Sequence, residues 1–141
     1  MNRVHPGAVV VSGIVFWIIQ AGWYTAFKGA YIAAVGLSPE AASAAQDHPS
    51  PWPYVTALLA NMLVAYVISI VLVRTGEATV ARGLIIALVL WGGLVMTQMA
   101  TRNAFEMRPF SLLLINGGCA LLGMLATGII CGAWTKQAPA A

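Results

Sequence analysis

Apolar residues along this chain gather into four uninterrupted stretches, 7–27, 53–73, 83–101 and 109–135. None of the four contains Asp, Glu, Lys or Arg, and they run from 19 to 27 residues. A helix needs about 20 such residues to cross a hydrocarbon core of roughly 30 Å. Lipid offers no hydrogen-bond partners, so apolar segments of this length satisfy their backbone internally, as helices. The pattern predicts an all-α, integral membrane four-helix bundle, with residues 1–141 as one domain and spans near 7–30, 53–74, 80–102 and 109–134. The first stretch is too long for the apolar part of a signal peptide. It also ends in Trp23, Tyr24 and Phe27, which suit an interfacial aromatic belt, so it is read as a retained span.

The polar connections carry their own signals. Gly36 is placed to end a helix in the left-handed conformation. Ser38-Pro39-Glu40 then starts another, with Ser as cap, Pro in the first turn and Glu near the positive helix end. A short extra helix is therefore expected over 39–46, before the prolines at 49, 51 and 53 forbid its continuation. The turn after the second span places Gly76 as a helix-ending residue and Thr79 as the cap of the third.

Composition agrees with a membrane setting. Apolar residues make up 60% of the chain and charged residues 8%, against about a quarter charged in a soluble domain. The net charge of +3 is spread over the ends of the stretches, so it reads as interfacial anchoring. The basic face that nucleic-acid binding requires is absent. If the N-terminus is cytoplasmic, that side carries Arg3, Arg74, Arg82 and Lys136, and the other carries Lys28, Arg102 and Arg108. This bias favours both termini in the cytoplasm. The 28–52 connection and the 102–108 turn then share the outer face and are expected to touch.

Candidate chemistry concentrates at that turn. Arg102, Glu106 and Arg108 are the densest charge in the chain. They are read either as headgroup-layer anchors paired with one another or as a recess for an anionic headgroup or small anion. Beneath them each span carries one side-chain amide: Gln20, Asn61, Gln98 and Asn116. Counted from the outer end, these lie about 10, 12, 5 and 9 Å deep. An amide facing lipid would leave donors and acceptors unpaired, so each is expected to turn inward. Together they would form either an interhelical clamp or the floor of a polar pocket.

Other motifs are weaker. Ala57, Asn61, Ala65 and Ser69 form a small-residue row on the second span, and Gly128 and Gly132 form a GxxxG on the fourth. They suit packing inside the bundle or, for Gly128 and Gly132, a homo-oligomer face. Cys119 and Cys131 lie about 18 Å apart on one helix, too far for a disulfide. His5 and His48 precede different spans and fall on opposite sides. Asp47 and His48 supply too few ligands for a metal. Met96, Met99 and Met107 have the thioether chemistry of a copper site but read as apolar packing. No catalytic residues, metal site or cofactor are assigned.

Several motifs in order carry a resemblance. They are Gly22-Trp23-Tyr24, Gly36-Leu37-Ser38-Pro39-Glu40, Asn103-Ala104-Phe105-Glu106-Met107-Arg108-Pro109 and Leu114-Ile115-Asn116-Gly117-Gly118. With these the chain resembles a bacterial family of small inner-membrane proteins, domain of unknown function 1761, from the first span to Trp134. The resemblance implies four spanning helices and no established activity. The expected function is a non-enzymatic binding, accessory or transport-like role in the lipid bilayer of a bacterial inner membrane, with an outer-face polar recess. The alternative is a membrane enzyme, or a protein that modifies lipid headgroups, using Arg102, Glu106 and Arg108.

Overall fold

The structure is a computed structural model and describes residues 4–47, 50–76 and 78–134. Arg3, His48, Glu77 and Lys136 lie outside the described residues, so the readings that involve them are not addressed by it. The helices are α1 (Pro6–Ala26), α2 (Lys28–Val35), α3 (Pro39–Asp47), α4 (Trp52–Arg74), α5 (Val80–Leu90), α6 (Thr97–Phe105) and α7 (Phe110–Trp134). A π-helical segment, Trp91–Met96, joins α5 to α6. The described residues contain no strand. By length and composition, four helices among the described residues can cross a membrane: Pro6–Ala26, Trp52–Arg74, Val80–Phe105 and Phe110–Trp134. Their exposed flanks are apolar, with Leu59, Leu63, Val89 and Leu94 all outward, as suits contact with hydrocarbon rather than water.

The central helix is α7, which packs against α1, α4 and α5. Small residues make that possible. A Cβ placed on Gly128 would collide with the Gly83 carbonyl of α5, and one on Gly132 would collide with the Thr79 backbone. Backbone thus lies on backbone, the arrangement that drives association where lipid is as apolar as leucine. Gly128 and Gly132 thus pack closely against the start of α5 within the chain. At the buried centre, Ser69 Oγ donates to Cys131 Sγ at 3.2 Å, and Ser12 Oγ lies 3.5 Å from the same sulfur. These contacts tie α1, α4 and α7 together with every polar atom paired.

Several local signals appear where the chemistry placed them. Gly36 has φ 76° and ends α2. Ser38 Oγ accepts from the Ala41 N–H at 3.2 Å at the start of α3. Thr79 accepts from the Arg82 N–H at 3.2 Å at the start of α5. The ring of His5 lies 5.7 Å from that of Trp134, so the chain enters α1 and leaves α7 at one end of the bundle.

Two features depart from straight spans. The first span, expected to run to residue 30, breaks at Phe27, whose φ and ψ are −99° and 15°. Thr25 Oγ1 donates to the Ala21 carbonyl at 2.7 Å, a back-bond of the kind that bends helices. The third span is interrupted by the π-helical segment, which contains Gly92 and Gly93, both poor helix formers. Thr97 Oγ1 donates to the Gly93 carbonyl at 2.9 Å there. Beyond this segment no residue of α6 is buried. Among the long helices α5 packs on α7 and α4, whereas α6 packs chiefly on α7, so the bundle opens at the end away from the termini.

Candidate functional site

The opening holds a recess of about 310 Å³ between α2, α6 and α7. Tyr31 and Val35 of α2 form one wall and Met99, Arg102 and Asn103 of α6 another. Leu112, Leu113 and Asn116 of α7 form the floor, with Glu106 and Arg108 at the rim. The expected contact between the 28–52 connection and the 102–108 turn is present, since Arg108 Nη1 donates to the Val35 carbonyl at 3.0 Å.

The turn that carries the charges is tightly specified. At the end of α6 the Met107 N–H donates to the Ala104 carbonyl and the Arg108 N–H to the Asn103 carbonyl, at 3.1 and 3.0 Å. These two bonds form a Schellman motif, and it puts Met107 in the left-handed region at φ 49°. Glycine is the usual residue there, and a side chain costs about 1–2 kcal/mol. Asn103 Nδ2 offsets part of that cost by donating to the carbonyls of Arg108 and Pro109, at 3.0 and 3.3 Å. The end of α2 has the same motif, with Gly36 donating to Ala33 and Leu37 to Ile32, at 3.2 and 3.3 Å. Two helix C-termini, each with partial negative charge, therefore flank the recess, and the two arginines sit where that charge favours cations.

Arg102 Nε donates to Glu106 Oε1 at 2.7 Å, and Arg108 Nε lies 3.5 Å from Glu106 Oε2. The hydrogen bond from Arg102, reinforced by the charges of both arginines, holds the Glu106 carboxyl below the usual carboxylate range, although desolvation opposes it. The site is exposed, with the Arg102 side chain 79% accessible. A guanidinium carries five N–H donors. The Nε–H of Arg102 is the one paired, and its remaining donors have no acceptor among the described residues.

The four amides divide. Asn61, 4% exposed, donates from Nδ2 to Gln20 Oε1 at 2.7 Å, joining α4 to α1. Asn116 Oδ1 accepts from the Tyr24 hydroxyl at 2.8 Å, joining α7 to α1. Gln98 stands exposed and joins neither pair. No residue of α6 is buried, and Gln98 on it faces out of the bundle. The polar layer is thus two separate bridges, and of the four amides only Asn116 lines the recess. Its Oδ1 takes the Tyr24 bond, and its Nδ2 group has no acceptor among the described residues.

Sequence reasoning did not assign Tyr24, Tyr31 and Asn103 to the site. Tyr24 lies edge-on to Tyr31, with ring centroids 5.2 Å apart, and so links the Asn116 bridge to the recess wall. Two indoles act similarly: Trp23 Nε1 donates to the Ile115 carbonyl and Trp91 Nε1 to the Gly117 carbonyl, both at 2.9 Å. A signal was present, since Tyr31 follows Tyr24 by seven residues and so shares its helical face. Of the three methionines, Met99 lines the recess, Met96 packs at Gly117 and Met107 is 91% exposed.

Four long apolar helices, with a polar recess at one end of the bundle, define a multi-pass membrane protein of the helical-bundle class. Residues 7–132 match the family described as "Protein of unknown function (DUF1761)", and the chain belongs to that family. No curated protein and no solved structure matches the chain.

Proposed function

We propose that this protein is a non-enzymatic binding component of a bacterial inner membrane whose recess holds an anionic group, either a lipid headgroup or a small anion. The observation that carries this reading is the surplus of donors. Arg102 and Asn116 present N–H groups to one recess with no acceptor for them among the described residues. Two guanidinium groups against one carboxylate leave the site positive, so an acceptor-rich anion fits it best. Val35, Leu112 and Leu113 beneath the charges suit the first methylenes of an amphiphile.

Enzymatic use of the cluster is less favoured. A glutamate held ionised by two arginines is a poor proton donor near neutral pH, where a general acid or base works best with a pKa close to the operating pH. The balance of basic residues supports cytoplasmic termini, which puts the recess on the outer face. The close approach of Gly128 and Gly132 to α5 supports a packing role for them within the chain rather than a face between copies.

The test is titration of the purified chain in neutral detergent with short-chain phosphatidylglycerol, phosphatidylcholine and inorganic phosphate. Preference for phosphatidylglycerol over phosphatidylcholine, lost in Arg102→Gln, is the expected result. Equal binding of inorganic phosphate would assign the recess to a small anion. Binding that ignores both headgroup charge and Arg102→Gln would refute the reading.

A further inference from the structure

The third span is the least covered of the four. An apolar stretch of it is 11% buried, against 22, 28 and 44% in the others. Along its outer half four residues follow one another at spacings of four, three and four: Leu94, Gln98, Thr101 and Phe105. That is the spacing of a seam by which one helix packs along another. All four are exposed, Leu94 at 61% and Phe105 at 85%. None of them lines the recess, which takes Met99, Arg102 and Asn103 from α6.

Leucine and phenylalanine on such a seam need no partner in hydrocarbon, because lipid is as apolar as they are. Gln98 is different. The hydroxyls beside it are satisfied within the helix, since Thr97 Oγ1 donates to the Gly93 carbonyl and Thr101 Oγ1 to the Thr97 carbonyl, both at 2.9 Å. The Gln98 amide makes no hydrogen bond among the described residues, and it lies about 5 Å below the outer end of its uncharged stretch. An amide has two N–H donors and an acceptor oxygen, and hydrocarbon pairs neither. Acyl chains offer no partner, and lipid ester carbonyls accept but do not donate. A second Gln98 does both.

We propose that Leu94, Gln98, Thr101 and Phe105 form the contact between two copies of this chain, with the two Gln98 amides hydrogen-bonded to each other across the axis. Copies inserted in the same sense and related by a two-fold axis along the membrane normal bring each seam residue against its own counterpart at one depth. Each amide then donates to the oxygen of the other, with leucine packing on one side of the pair and phenylalanine on the other. Arg102, next to the seam, is paired with Glu106 at 2.7 Å in its own chain, which moderates repulsion between the copies. The recess opens on other residues of α6, so this inference does not rest on what the recess binds.

The experiment places the full chain, labelled at its N-terminus with donor or acceptor fluorophore, in vesicles of equal parts phosphatidylglycerol and phosphatidylethanolamine. Energy transfer between copies is followed as the protein is diluted in lipid. Wild type is expected to dimerise, and Gln98→Leu to raise the dissociation constant about tenfold, within the range of interhelical hydrogen bonds in membranes. Gln98→Asn, which keeps an amide, is expected to recover part of the loss. Oxidation should join Thr101→Cys into a covalent dimer. Leu63→Cys, exposed on α4, should stay monomeric under the same treatment, as should wild type, whose Cys119 and Cys131 are buried. A wild type that remains monomeric at every dilution overturns the inference. So does a dimer whose dissociation constant is unchanged in Gln98→Leu, or one that Leu63→Cys cross-links as readily as Thr101→Cys. Circular dichroism checks that each variant is folded, and the cross-linking pair carries the test if Gln98→Leu is not.

Discussion

Gly128→Ala places a methyl group between two backbones. The added Cβ would lie 2.7 Å from the Gly83 carbonyl carbon and 3.2 Å from the Ala87 Cβ, and it would collide with the Gly83 oxygen. Carbon atoms in favourable contact sit about 3.5–4.0 Å apart, so α5 and α7 must separate by roughly 1 Å. A gap of that size forfeits a quarter to a half of each contact, at about 0.1–0.2 kcal/mol per atom pair. Over a few tens of pairs along the two helices the loss is on the order of 1–3 kcal/mol, the usual cost of overpacking. Gly22→Ala is the control, because nothing lies within 4 Å of a Cβ built there. It should be neutral or stabilise by up to about 1 kcal/mol through helix propensity. The assay is reversible unfolding in mixed micelles, followed by circular dichroism, with native mass measured alongside. Gly128→Ala should be markedly less stable than Gly22→Ala at unchanged mass. Equal stability of the two variants would refute the packing argument, and a change of mass would show that Gly128 serves an interface between copies.

Three further outcomes are expected. Asn61→Leu should destabilise by about 0.6 kcal/mol and at most ~1.7, the range for interhelical hydrogen bonds in membranes, since it strands the Gln20 carbonyl; an unchanged unfolding midpoint would argue against that bridge. Met107→Gly should stabilise by about 1 kcal/mol by relieving a side chain at φ 49°, and a loss of stability in the same assay would count against the strain assignment. Because the folded Glu106 pKa is lowered, its bridge to the arginines is present above the ordinary glutamate range and fades as pH falls through the lowered value. Acid should therefore free both guanidinium groups and raise anion affinity, and Glu106→Gln should bind anions more tightly at neutral pH and lose that acid dependence in the same titration.

The sequence by itself determined the helical class, the four spans and most of their ends. These depend on local chemistry: uncharged length forces helix in lipid, Gly36 ends α2, Ser38 starts α3 and Thr79 starts α5. It also singled out the turn at Arg102, Glu106 and Arg108, because charge between apolar runs is visible without any knowledge of packing. The break at Phe27 and the π-helical segment at Trp91–Met96 were not legible. Both depend on small differences among backbone hydrogen bonds that tertiary contacts decide. The amides show the limit most clearly. Counting residues gave their depth but not their azimuth, so a single layer was expected where the structure has two bridges and an exposed Gln98. Rotation of each helix, and the exposure of α6, are set by which small residues meet. Gly83 on Gly128 closes one end of the bundle, and nothing comparable draws in α6 at the other. Only the tertiary structure could therefore decide that Asn116, Tyr31 and Arg102 share a recess, and that Gln20 pairs with Asn61 apart from it.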